Sequence, residues 1–329
     1  MSNHQISAEK WFERGMNRAA DDYDGAIADF SQALRLNPQY IEAYYNRGNA
    51  RDDKGDYDGA IADYNQAIQL NPKFAEAYNN RGLARAKKGD YDSALADFNQ
   101  AIRLNPQYID AYGNRGNIQK IKGNYDSAIA DFNQVLRLNP QDASAYNNRG
   151  NAYANKKDYA GAISDYSQAI RLNPQYGEAY YNRGSTRATL GDYDNAIADF
   201  GQAIRLNPRF ASAYYNRGNI QNIKGDYDSA IADYSQAIRL NPKQFQVYYN
   251  RGLACVKNGD NDGAIADFDQ SIRLNPQYIE AYNNRGFARY TRGDFDGAIA
   301  DYEAALRLNP NLIQVTNNLE LARKAKQKK

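Results

Sequence analysis

The chain is poor in the residues that most often build metal and catalytic sites. Its 329 residues hold one cysteine (Cys255), one histidine (His4) and one tryptophan (Trp11). A lone cysteine excludes an intrachain disulfide and a cysteine-rich metal cluster. Within a helical stretch, Cys255 reads as a small buried apolar residue. A lone histidine leaves no histidine dyad and no histidine-based zinc site. No apolar run approaches the roughly 20 residues that span a bilayer. The opening MSNHQISAEKWFERG has no apolar stretch of the secretory kind. The expectation is a cytoplasmic chain with no membrane segment. Charge of one sign is also lacking, with 41 basic residues against 39 acidic. Five of the basic residues (Arg323, Lys324, Lys326, Lys328 and Lys329) close the sequence, so the rest is slightly acidic. That balance gives no electrostatic footprint for nucleic acid.

What is present is order. All nine prolines, from Pro38 to Pro310, stand 34 residues apart. A period of this length marks a solenoid built from one supersecondary unit. Glycine follows the same lattice, as a recurring Arg-Gly pair (Arg47-Gly48 is one) and as a glycine before the second half of most units, such as Gly55. No Gly/Ser linker is left over, which predicts one continuous array without hinges. Tyrosine, at 29 residues, is used well beyond its average share.

One unit runs from Ile41 to Phe74. In its second half Tyr57, Ala60, Ile61, Tyr64, Ala67 and Ile68 recur at helical spacing. Asp56 suits the N-cap, Gly55 the left-handed turn before it, and Asn71-Pro72 the stop. The first half, about Glu42 to Asp53, is the partner helix, with Ala43, Tyr44, Gly48 and Ala50 on one side. One hairpin cannot bury its apolar face alone, so each must stack on the next. Tyr44 and Tyr64 are expected to fill the space between helices. The division is an N-terminal extension (1–7), nine repeats (8–40, 41–74, 75–108, 109–142, 143–176, 177–210, 211–244, 245–278 and 279–312) and a capping helix with a basic tail (313–329).

The small residue after Arg, the Ala60-x-x-x-Tyr64 spacing and the closing proline resemble the tetratricopeptide repeat superfamily over almost the whole chain. The resemblance implies an all-α, right-handed superhelical solenoid of antiparallel helix hairpins. It implies a concave groove lined by the first helices and a protein- or peptide-binding role. Three departures stand out. The family's usual Trp is Tyr except at Trp11, the first repeat is one residue short between its helices, and the usual Leu before Gly is Arg in all nine repeats. A buried charge needs a partner. An aspartate recurring on the second helix, from Asp29 to Asp301, predicts an Arg–Asp pair within or between repeats. The rival reading is that these arginines hold a ligand's phosphates or carboxylates.

Packing slots hardly vary between repeats, so the varying and the polar slots are the candidate binding site. The slot after the first Tyr holds Tyr45, Tyr181, Tyr215 and Tyr249 in four repeats and Asn79, Gly113 and Asn147 in three others. The slot after Arg-Gly holds Asn49, Asn117, Asn151 and Asn219, elsewhere Leu, Ser or Phe. One slot is constant: Asn46, Asn80, Asn114, Asn148, Asn182, Asn216, Asn250 and Asn284 form a ladder that Asn318 continues. It resembles the asparagine ladder in the tetratricopeptide superhelix of O-GlcNAc transferase. An amide both donates and accepts, so such a row suits an extended peptide's backbone whatever its sequence. The plainer alternative is that each Asn bonds only its neighbours. Acids recur early on the first helix (Glu9, Glu42, Glu76, Asp110, Glu178 and Glu280), while Lys87, Lys120 and Lys257 are scattered. A neutral or mildly basic segment therefore fits better than an acidic one, although acids also suit a helix start.

The expected function is a non-catalytic scaffold for a protein or extended peptide. The acids recur with the repeat instead of forming one unique catalytic constellation, and no phosphate loop follows a strand. No cofactor or metal is implied. Self-assembly into a homo-oligomer through open solenoid ends is the alternative, with single-stranded RNA a weaker third.

Overall fold

The computed structural model describes residues 7–328. His4, the tail residue Lys329 and most of the expected N-terminal extension lie outside them. Among the described residues there are 19 helices and no strand. The chain divides into two compact units, Met1–Leu172 and Asn173–Lys329. The first holds five helix hairpins, from Ala8–Arg18 with Tyr23–Leu36 to Ala143–Asn155 with Tyr159–Leu172. The second holds four, beginning with Gly177–Thr189 and Tyr193–Leu206, and ends in the single helix Ile313–Gln327.

The second repeat illustrates the local rules. Its first helix, Ile41–Lys54, closes on Gly55 at φ 89°, a left-handed conformation that glycine adopts without steric cost. The Asp56 side chain then accepts the Gly59 N–H at 3.0 Å and opens the helix Tyr57–Leu70. Asn71 ends that helix, and its Oδ1 accepts the N–H of Lys73 beyond the proline at 3.0 Å. In the fifth repeat Lys157 takes the left-handed position at φ 69°. An L-residue there costs about 1–2 kcal/mol.

Within each unit the second helix lies between its own first helix and the first helix of the next repeat. Ala60 and Tyr64 pack with Ala84 of the following repeat, as Ala230, Tyr234 and Ala237 pack with Val247 and Ala254. The Arg-Gly glycine permits this approach: a Cβ on Gly48 would stand 2.7 Å from the Tyr64 ring. Tyr64 is interior, as expected. Tyr44 is half-buried: it packs against Ala33, Leu34 and Ala43 on one side and Ala67, Ile68 and Ala77 on the other, and its ring also lies beside Arg47, with the guanidinium carbon 5.7 Å from the ring centre. Trp11 and Arg14 do the same at 4.0 Å, so the family's Trp slot supports a cation–π contact in this chain.

The arginines are paired in every repeat. Arg47 Nε donates to Asp63 Oδ2 at 2.9 Å and Nη2 to Oδ1 at 2.6 Å, a two-point contact between the two helices of one repeat. The same join recurs from Arg14–Asp29 to Arg285–Asp301, and the short first repeat keeps it. The remaining nitrogen reaches back one repeat: Arg47 Nη1 donates to Ser31 Oγ at 2.9 Å and Arg81 Nη1 to Asn65 Oδ1 at 2.7 Å. One side chain thus fixes both the hairpin and its stacking. A row of arginines held for a ligand is replaced by a row of buried ion pairs.

The last helix caps the second unit. Val315, Leu319 and Ala322 are buried against Ala298, Tyr302 and Ala305, while Ile313 and Leu321 remain exposed. Arg323 and Lys326 of the basic tail reach Glu303 and Asp296.

Candidate functional site

The candidate residues all lie on first helices, half-buried except for the buried Asn79 and Asn147. The helical register places the ladder asparagine beside the neighbouring repeat's slot one residue before it. Asn80 Nδ2 donates to the Tyr45 hydroxyl at 3.0 Å and to Asn49 Oδ1 at 2.9 Å. In the second unit Asn216 donates to Tyr181 at 3.0 Å, Asn250 to Tyr215 at 3.0 Å and Asn284 to Tyr249 at 2.8 Å. Where the slot holds asparagine the bond persists: Asn114 Nδ2 meets Asn79 Oδ1 at 3.0 Å, and Asn318 meets Asn283 at 3.2 Å. Asn46 bonds its own helix at Glu42 O, and Asn148 Oδ1 accepts from Lys120 at 3.2 Å. Asn182 sits half-buried on Gly177–Thr189. At Asn80, Asn114, Asn216, Asn250, Asn284 and Asn318 the ladder is therefore a lateral tie between neighbouring repeats on its nitrogen side, whereas the nitrogens of Asn46 and Asn148 bond within their own helix. On its oxygen side, Asn216, Asn250 and Asn284 accept no hydrogen bond from a described residue.

The tyrosines of the varying slot are less open than their position suggested. Each ring packs between the aromatic residue of its own second helix and, where there is one, the aromatic residue two positions after the closing proline. Tyr45 has ring centres 6.0 Å from Tyr64 and 4.8 Å from Phe74. Tyr181 stands 5.8 Å from Phe200 and 4.6 Å from Phe210, and Tyr249 stands 5.8 Å from Phe268 and 4.8 Å from Tyr278. Tyr215 packs on Tyr234 at 6.1 Å, with Gln244 in the loop slot. Burial raises the affinity of the Tyr45 and Tyr249 hydroxyls for their protons, which keeps them as hydrogen-bonding phenols. The asparagines after Arg-Gly face the second helix: Asn49, Asn151 and Asn219 each accept the hydroxyl of Tyr64, Tyr166 or Tyr234 at 2.8 Å.

The fourth repeat departs from all of this. Gly113 has no side chain to fill the slot, the loop position holds Asp142 instead of an aromatic, and Asn117 faces Phe132, which has no hydroxyl to offer. Between them opens a cavity of about 540 Å³, also lined by Tyr108, Asn114, Val135 and Asn148. The sequence placed Gly113 among the varying residues, but nothing short of the packing showed that Asp142 belongs with it.

The scattered groove lysines are engaged with neighbours. Lys87 pairs with Asp52 at 2.5 Å, and Lys257 lies 5.8 Å from the Tyr227 ring centre. Cys255 is buried, and burial pushes its thiol up to about 11, so it is an inert packing residue. Among the described residues no helix is long and apolar enough to cross a membrane, and no group of His, Cys, Asp or Glu is placed to hold a metal ion.

Family models match along the array. One described as "TPR repeat" matches residues 18–52, 53–89, 186–222, 218–259 and 252–293. Others described as "Tetratricopeptide repeat" match 122–177, 75–108, 279–312, 98–130 and 166–198. Comparison with curated proteins returned no match. Among solved structures, a tetratricopeptide repeat protein from Parabacteroides merdae is similar at 23% identity, covering 76% of this chain and 98% of that one, with a TM-score of 0.54. Pseudomonas aeruginosa pilF is similar at 20% identity, covering 63% and 94%, with a TM-score of 0.56. A MamA structure is 28% identical over 50% of this chain and 96% of its own, with a TM-score of 0.47.

Proposed function

The chain belongs to the tetratricopeptide repeat family, and on that premise we propose that it is a non-catalytic scaffold binding an extended peptide segment of a partner protein along its first helices. The observation that carries this reading is the state of the ladder amides. In Asn216, Asn250 and Asn284 the nitrogen is held by a tyrosine of the preceding repeat, which fixes the amide's orientation, while the oxygen has no partner among the described residues. A row of fixed acceptors at repeat spacing suits the N–H groups of an extended backbone, which recur whatever the side chains are. Orienting the acceptors in advance lowers the entropy lost on binding.

The test selects extended peptides on the full chain from a random displayed library. The selected peptides are then measured against the triple variant Asn216→Ala, Asn250→Ala, Asn284→Ala, with helical content checked by circular dichroism. Affinity should fall at least about tenfold, since three hydrogen bonds at ~0.5–1.5 kcal/mol each are removed. Unchanged affinity with intact helicity, or no enrichment of any peptide, would overturn the reading.

A second reading, self-association, is favoured by the last helix, where Ile313 is 78% and Leu321 56% exposed. Sedimentation across a concentration series separates the two.

A further inference from the structure

We propose that the cavity of the fourth repeat is a specificity pocket for an arginine side chain of the bound peptide; this rests on the groove reading above and names what that groove selects. Three departures from the chain's own packing pattern meet in one place. Where Tyr45 and Phe74 put two rings, the fourth repeat has Gly113 and Asp142. Where Asn151 and Asn219 accept a tyrosine hydroxyl, Asn117 stands opposite Phe132 and its side-chain amide has no hydrogen-bond partner among the described residues. A Cβ on Gly113 would have one neighbour, Val135 Cγ2 at 4.0 Å, so the space is open and not merely loosely packed. The cavity, about 540 Å³, falls in the ~300–1,000 Å³ range of small-ligand pockets and has room for a long side chain with its backbone.

The chemistry of the lining selects the guest. Val135 and Ile109 offer an apolar wall for a methylene stem, and the amide of Asn117 an unfilled acceptor. Asp110 and Asp142 line the cavity, and neither forms an ion pair with a described residue; the Asp142 carboxylate, which caps the helix Ala143–Asn155, accepts the N–H of Ala145 at 2.9 Å. Glu76 stands near enough to act on Tyr108, whose hydroxyl is pushed up by burial first and then by Tyr45, Asp110 and Glu76. Lys120 beside the cavity donates to Asn148, and burial disfavours its ammonium form. The site is thus acidic and acceptor-rich, with fixed donors largely engaged elsewhere. A guanidinium brings five donors, a flat face that stacks on aromatic rings such as Tyr108, and a charge it does not lose.

The probes are fluorescent twelve-residue peptides of Gly, Ser and Ala with one central guest residue (Arg, Tyr, Glu or Ala), titrated into the full chain. The Arg guest should bind about tenfold more tightly than the Ala guest, the effect of one charge-assisted hydrogen bond. The Glu guest should bind more weakly than Ala. Gly113→Tyr, which fills the cavity as Tyr45 fills its own, should bring the Arg-to-Ala ratio close to one. Phe132→Tyr is the milder control. It supplies Asn117 with the hydroxyl that Tyr166 gives Asn151, and should lower the ratio several-fold. Equal affinity for Arg and Ala guests, a preference for the Tyr guest, or an Arg preference that survives both variants would overturn the pocket alone. Failure of every peptide to bind would overturn the groove reading and the pocket with it.

Discussion

The fourth and seventh repeats share one hairpin geometry and differ in what fills it. In the seventh, Tyr215 packs on Tyr234, Tyr234 donates to Asn219, Asn219 accepts from Asn250, and Asn250 donates to Tyr215, a closed circuit of four side chains. In the fourth, the corresponding residues are Gly113, Phe132, Asn117 and Asn148, and the circuit is absent. Asn148 turns instead to Lys120 and Ser144. The contrast shows that the backbone of the repeat does not depend on the circuit. The two helices are joined by Arg–Asp pairs in both, Arg115–Asp131 and Arg217–Asp233. With the hairpin held by the ion pair and the stacking by the buried ring of the second helix, the first-helix face is free to be filled or left open.

The largest expected effect comes from breaking the filled side. Tyr234→Ala removes a fully buried ring together with its hydrogen bond to Asn219. It should destabilise the seventh repeat by about 3–5 kcal/mol. Hydrogen exchange repeat by repeat is the suitable measurement, because long arrays need not unfold in one step.

Filling the empty side should work the other way. Gly113→Tyr replaces a mid-helix glycine and buries a ring in existing space. It should stabilise the fourth repeat by about 1–3 kcal/mol, from apolar burial plus helix propensity. A gain in stability with a loss of arginine preference would show an opening kept for function at a cost in stability. A loss of stability would mean that the space cannot take a ring.

A smaller effect sharpens the electrostatic half of the contrast. Asp63, Asp97, Asp199 and Asp301 each receive a second arginine one turn on, as Arg85 Nη1 donates to Asp97 at 2.8 Å. Asp131 has Gln119 in that slot and Asp267 has Cys255, and burial pushes both carboxyls up despite Arg115 and Arg251. A carboxyl raised on folding holds its proton to higher pH in the folded than in the unfolded chain. Its contribution to stability therefore falls as pH rises from the ordinary aspartate range through the raised value. Gln119→Arg should offset that loss. Thermal unfolding should show a gain of ~1 kcal/mol near neutral pH, shrinking towards zero in acid, where the carboxyl is protonated in both states. A gain independent of pH would point to helix propensity instead.

Much of this was legible in the sequence. The proline lattice, the Arg-Gly pair and the Asp56–Gly55 punctuation specify the hairpins because they act within a few residues of chain. The Arg–Asp pair was legible because an arginine on a buried face has to find a carboxylate, and one aspartate slot of the second helix is filled in all nine repeats, as the arginine is. Tyr44 fills the space between repeats as expected but stays half-buried, and the periodicity of a first helix does not show that its ring also lies beside a guanidinium. The ladder was legible as a row but not in its orientation. Which end of an amide a neighbour takes depends on Tyr45 and Tyr215, which lie 35 residues earlier.

The sequence alone determined that the chain is an array of helix hairpins and which residues punctuate them, because these follow from local backbone preferences and a strict repeat. The tertiary structure alone decided that the nitrogens of the ladder tie repeats together while several oxygens stay open. It also decided that Gly113, Asn117 and Asp142 border one cavity. Both depend on contacts between residues far apart in the chain, where a missing ring leaves a space that no local pattern records.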